Sequence, residues 1–132
     1  MTGVDIVGAL LRARGALTAM VPIERIKAGA LPEGIALPAL LLRSISTVER
    51  QRLKRGATIR VTERVSVTVR AASYRDQVVV MAQVLPIAGW TGDMAPARRI
   101  SILSAGKGPD IRGPGNSFEQ GQDFRVSYDL PA

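Results

Sequence analysis

Residues 59–70 read IRVTERVSVTVR, and every second side chain is of the same kind. Ile59, Val61, Val65, Val67 and Val69 alternate with Arg60, Thr62, Arg64, Ser66, Thr68 and Arg70, and only Glu63 breaks the apolar set. Period-two patterning sustained this long specifies a β-strand with one buried and one polar face. It also fixes register, because a one-residue slip would turn the valines to solvent. The strand needs an antiparallel neighbour, an apolar layer against its valines, and something to meet three arginines.

The flanking sequence supplies candidates. PALLLRSIS, 38–46, is apolar enough to be a neighbouring strand and pairs with 58–72 as a hairpin. Between them TVERQRLKRGA, 47–57, sets Arg50, Arg52, Lys54 and Arg55 against Glu49 alone. It reads as a hairpin loop, either solvated or touching an anionic partner. Thr2 with Asp5 forms a helix-start pattern. Apolar Ile6, Val7, Leu10, Leu11 and Leu17 follow at helical spacing, so a helix is expected over about 3–19, ending before Pro22. Ser73 with Asp76 repeats the cap, and Val78, Met81, Ala82 and Leu85 then share a helical face up to Pro86. RRISILSA, 98–105, and DFRVSYDL, 123–130, read as two more strands. Long loops are expected at about 22–37, 47–57 and 105–122, the last holding five glycines and two prolines. The order is α-β-β-α-β-β. It describes a single α+β domain over residues 1–132, an antiparallel four-stranded sheet with two helices packed on one face.

The chemistry is sparse. The chain has no cysteine and no histidine, which removes thiol catalysis, thiolate metal sites, disulfides and the usual neutral-pH base. GKGPDIRGPG lacks the order of a phosphate-binding loop. The carboxylates show no shared acid–base signature, and no base is placed to activate a hydroxyl. Glu63 is read as a bulge or edge residue, or as the partner of an arginine. The chain is expected to be no enzyme and to need no metal or other cofactor. No apolar run reaches membrane-spanning length, and the start, MTGVDIVGALLRARG, does not read as a secretory signal, so no membrane partner is expected.

What remains is charge. Eighteen Lys+Arg against eleven Asp+Glu give a formal +7, and only Lys27, Lys54 and Lys107 are lysines. Such a surface suits nucleic acid, an anionic membrane or an acidic protein. Aromatics are few and not interleaved with the arginines, so base stacking is unsupported. A basic nucleic-acid-binding module stays open as an alternative.

Several stretches taken together carry a family resemblance. These are ALLRARGALTAMV, ERI, LPEGIALPALLLRSIS, VTERVSVTVRAASY and ILSAGKGPDIRGPGNSFEQGQDFRVSYDL, in that order. They resemble the tail terminators, or tail completion proteins, of long-tailed phages and prophages. The resemblance implies a virion protein of the tail or neck, made in the host bacterial cytoplasm. It would form a homo-hexameric ring that caps the tail tube protein, stops its polymerisation and meets the head–tail connector. Genome DNA would pass through the lumen. A connector or stopper protein of the neck is the neighbouring alternative. Under this resemblance Arg60, Arg64 and Arg70 meet Asp123 or Asp129 of an adjacent subunit, line the lumen, or face solvent. Arg50, Arg52, Lys54, Arg55, Lys107, Asp110 and Arg112 are then the candidates for docking onto tube or connector.

Overall fold

The computed structural model describes residues 1–50 and 56–132. The expected strand at its centre is β3, Thr58–Ala71, and its valines are buried. It lies between β2, Ala39–Arg50, and β7, Phe118–Pro131, antiparallel to both. β5, Ala97–Lys107, pairs with the other side of β7, and β4, Thr91–Met94, flanks β5. β1, Ile26–Ala28, runs parallel to β2 at the opposite edge. The sheet order is β1-β2-β3-β7-β5-β4, with a two-residue β6, Ile111–Arg112, also paired to β7.

The four-stranded antiparallel sheet in α-β-β-α-β-β order is therefore wrong. The sheet is mixed and has seven strands among the described residues. Part of the difference is β4, which lies between the second expected helix and 98–105, and three expected loops account for the rest. The stretch 22–37 hides β1, whose Ile26 is buried opposite Leu40 while prolines and glycines surround it. The stretch 47–57 is strand as far as Arg50, because the long β3 keeps offering partners there: Thr47 faces Glu63 and Glu49 faces Val61. A bulge between Ser44 and Ser46 lets β2 follow. The stretch 105–122 is largely sheet, since β5 continues to Lys107 and β7 begins at Phe118.

The helices pack on the valine side. α1, Gly3–Arg12, starts in the expected capping box: the Asp5 N–H donates to Thr2 Oγ1 and the Thr2 N–H to Asp5 Oδ2. Ile6, Val7 and Leu11 are fully buried against β2 and β3. The helix expected to run to residue 19 stops at Arg12. Arg14 adopts extended backbone and donates from Nε to the Gln83 carbonyl at 3.0 Å, and a separate short α2, Gly15–Thr18, follows. α3, Tyr74–Val84, starts at Ser73, whose Oγ accepts from the Asp76 N–H, and lays Val80, Met81 and Val84 on β3 and β7. Phe124 of β7 is fully buried among them. Each such aliphatic side chain contributes about 1.5–3 kcal/mol by leaving water. With α1 and α3 on one side, the other side of β2, β3, β7 and β5 is left to carry the polar residues.

Glu63 sits on the helix side, 3 % exposed. It is neither a bulge residue nor paired with an arginine. Its Oε1 accepts from the Gly3 N–H at 2.8 Å and from the Tyr128 hydroxyl at 3.0 Å. The carboxylate thus satisfies an orphan donor at the start of α1, where the helix dipole favours negative charge. The fit is close: a Cβ on Gly3 would lie 2.9 Å from Glu63 Cδ. Burial, then the bond to Glu63, raises the Tyr128 pKa well above the ordinary tyrosine value of 10.0.

Candidate interaction face

The open side of the sheet is built by register. Arg60 faces Asp129, Thr62 faces Ser127, Arg64 faces Arg125, Ser66 faces Asp123, Thr68 faces Gly121 and Arg70 faces Glu119. The three arginines that the alternation singles out each find a carboxylate on β7 of their own chain. Arg60 Nη1 lies 3.2 Å from Asp129 Oδ1 and also donates to the Arg99 carbonyl at 2.8 Å. Arg64 Nε meets Asp123 Oδ2 at 2.7 Å, and its Nη2 donates to the Ala105 carbonyl at 3.0 Å. Arg70 Nε pairs with Glu119 Oε1. Arg99 adds a second guanidinium to Asp129, Nε to Oδ2 at 2.7 Å. Thr62 and Ser127 share a hydroxyl–hydroxyl bond at 3.1 Å.

Asp123 and Asp129 are therefore in-chain partners of the arginines, although the sequence suggested them for a neighbouring subunit. The pairs stitch β3 to β7 across the whole strand length. Pairs that keep part of their surface in water contribute modestly, about 0–1 kcal/mol each when exposed and somewhat more where the carboxylate is buried. Their effect on the surface is larger, because they neutralise part of the charge. Six arginines project from this face of β2, β3 and β7, namely 43, 50, 60, 64, 70 and 125. Three carboxylates, 119, 123 and 129, answer them. Arg43, Arg50 and Arg125 have no ion pair among the described residues. The net character of the face is basic, with hydroxyls between the charges.

Beside Arg64 the face deepens into a cleft of about 480 Å³ under the turn that follows β5. Arg43, Arg64, Thr68, Lys107, Glu119 and Asp123 are among the residues that line it. Such a cleft can hold an anionic group or an extended polar chain. It has no cluster of acidic, histidine or cysteine side chains that would hold a metal among the described residues.

The docking candidates are dispersed. Arg50 ends β2 and is exposed. Arg52, Lys54 and Arg55 lie outside the described residues. Lys107 ends β5 at the cleft mouth. Asp110 serves the fold, accepting from Gln77 Nε2 of α3 at 2.7 Å. Arg112 stacks its guanidinium 4.1 Å from the centre of the Phe118 ring and donates to the Asn116 carbonyl. Arg125 faces outward as the alternation of DFRVSYDL implies, opposite Arg64. Sequence reasoning missed Arg43, Arg99 and Glu119. Carrying the alternation of DFRVSYDL back to Phe118 would have found Glu119.

The fold is shared with a known particle component. A chain in the solved virion of a native gene transfer agent (GTA) particle superposes with a TM-score of 0.68, covering 93 % of this chain and 91 % of that one, at 16 % identity. No family model and no curated protein matches the sequence. No helix among the described residues is long and apolar enough to cross a membrane.

Proposed function

We propose that this protein is a structural subunit of a phage-like virion, and that its place there is the tail terminator. The observation that carries the reading is the likeness, over nearly the full length of both chains, to a component of the gene transfer agent virion. The sequence resemblance to tail terminators supports the finer assignment. A homo-hexameric ring of this chain would cap the last tail-tube ring, stop its polymerisation and meet the connector of the head. The protein would be made in the host bacterial cytoplasm and end in the neck of the particle. No residue is assigned a catalytic role, and no cofactor takes part.

The basic, hydroxyl-bearing face supports this reading by its chemistry. A ring subunit needs surfaces for identical neighbours, for proteins above and below, and for the DNA in its lumen. Among the described residues, Arg43, Arg50 and Arg125 are the arginines projecting from that face without a carboxylate partner. Electron cryomicroscopy of the particle that carries this protein tests the proposal. A single ring of its density between tube and connector is expected. Density against the portal would make it a connector or stopper. Absence from every particle, with duplex binding that falls steeply with salt, would overturn the virion reading for the nucleic-acid one.

A further inference from the structure

The sheet ends in two unlike edges. At one, β1 covers β2 only beside Leu40–Leu42, and Arg43–Arg50 is left open along its outer side among the described residues. Ile45 and Val48 stand there 54 % and 60 % exposed. At the other, β4 covers β5 only beside Ala97–Ser101, and the segment from Leu103 to Lys107 is left open among the described residues, with Leu103 55 % exposed. A long open edge with apolar side chains is a template for another strand, and soluble proteins ordinarily blunt or cover such edges.

The register relates the two edges. Val48 faces Thr62, Thr62 faces Ser127, Ser127 faces Ser101, and Ser101 faces Thr91. These five residues form one rung across the open face, from an exposed Val48 to an exposed Thr91. A second rung runs from Leu42 through Val67 and Gln122 to Lys107. On the first rung β5 is covered by β4 while β2 is bare. On the second, β2 is covered by β1 while β5 is bare. The edges are stepped in complementary senses, so each short strand has a vacant place on the opposite edge of another copy.

We propose that a second copy of this chain docks edge to edge and head to tail. β4 of one copy lies along the Val48 half of β2 in the next, and β1 of that copy lies along the bare end of β5 in the first. This rests on the ring reading above and deepens it by naming the seam. The contact joins two different patches, so it repeats from copy to copy, and where the rotation per step closes, a ring forms in which no edge stays free. Each antiparallel step reverses direction, so β4 runs parallel to β2, and the seam ladder between them is parallel. A ring whose axis runs along the strands keeps the rungs level and brings Thr91 of one copy beside Val48 of the next.

The absence of native cysteine makes the test direct. Val48→Cys and Thr91→Cys are prepared as separate full-length proteins, both at exposed positions, and treated with a short thiol cross-linker at high protein concentration and on tail-tube ends. A cross-linked dimer is expected in the mixture and from neither protein alone, and the V48C/T91C double variant should give a ladder that stops at one closed species. Val48→Glu should abolish oligomers without moving the thermal midpoint. Dimers from V48C alone would mean a two-fold contact and overturn the seam. Oligomers without the 48–91 product would overturn the seam and leave the ring reading standing. A chain that is monomeric at every concentration and at tube ends would overturn both.

Discussion

The Tyr128 hydroxyl donates to Glu63 Oε1 at 3.0 Å on the apolar side of the sheet, 65 positions apart in the chain. The same oxygen accepts from the Gly3 N–H, so one buried carboxylate joins β3, β7 and the start of α1. Removing the carboxylate leaves two buried donors unpaired, and each unsatisfied group costs about 1–3 kcal/mol. Glu63→Leu should therefore lower unfolding free energy by about 2–5 kcal/mol, despite adding apolar surface. Tyr128→Phe removes one bond without leaving a donor and should cost about 1.5–3 kcal/mol. Urea denaturation of the two variants gives both numbers, and a smaller loss in Glu63→Leu than in Tyr128→Phe would contradict the assignment.

The same pair predicts an alkaline limb. The folded state holds the Tyr128 proton more tightly than the unfolded chain, whose tyrosine titrates near 10.0. The stabilisation is fully present below that pH. Above it the unfolded chain loses its proton while the folded one keeps it, so stability falls as pH rises. The slope from this one group is about 1.4 kcal/mol per pH unit until the folded form also titrates. Tyr128→Phe should be less stable at neutral pH and flatter above pH 10, read from denaturation midpoints across that range.

These contacts also show what the sequence discloses. Local chemistry was legible: Thr2 with Asp5 and Ser73 with Asp76 mark helix starts within three residues of the cap, and the valines of β3 declare their face. Partners far along the chain were not. Glu63 looked anomalous because Gly3 and Tyr128, which explain it, belong to other elements. Asp123 and Asp129 were legible as partners of arginines, but not that β7 of the same chain carries them. Glu119 was hidden because Gly121 and the flanking Gln120 and Gln122 erase the polar–apolar contrast, although Gln122 is buried. β1 and β4, of three and four residues, are too short for any periodicity to register. That is why a seven-stranded mixed sheet read as four antiparallel strands.

Asp129 is the most consequential carboxylate of the open face. It is 9 % exposed and takes Arg60 on one oxygen and Arg99 on the other. Asp129→Ala leaves two guanidiniums facing each other and should cost about 1–2 kcal/mol, reduced in high salt. Asp123→Ala breaks the more exposed pair with Arg64 and should cost under about 1 kcal/mol. A double-mutant cycle on Arg60 and Asp129 separates their coupling from the contribution of Arg99. Coupling no larger than that of Arg64 with Asp123 would show that the shared carboxylate adds nothing.

The arginines without carboxylates predict a different phenotype. Arg43 and Arg125 lie on the same face, flanking the Arg64–Asp123 pair, and each is exposed. Neither holds the fold by an ion pair among the described residues, so R43A/R125A should leave unfolding free energy within about 0.5 kcal/mol. If this face meets the phosphates of DNA in the ring lumen, each arginine releases about one counterion on binding. The double variant should then flatten the slope of log affinity against log salt by about 2 for duplex of any sequence. Fluorescence anisotropy over a salt series measures that slope. An unchanged slope with unchanged stability would remove DNA from this face and leave its unpaired arginines to a protein partner.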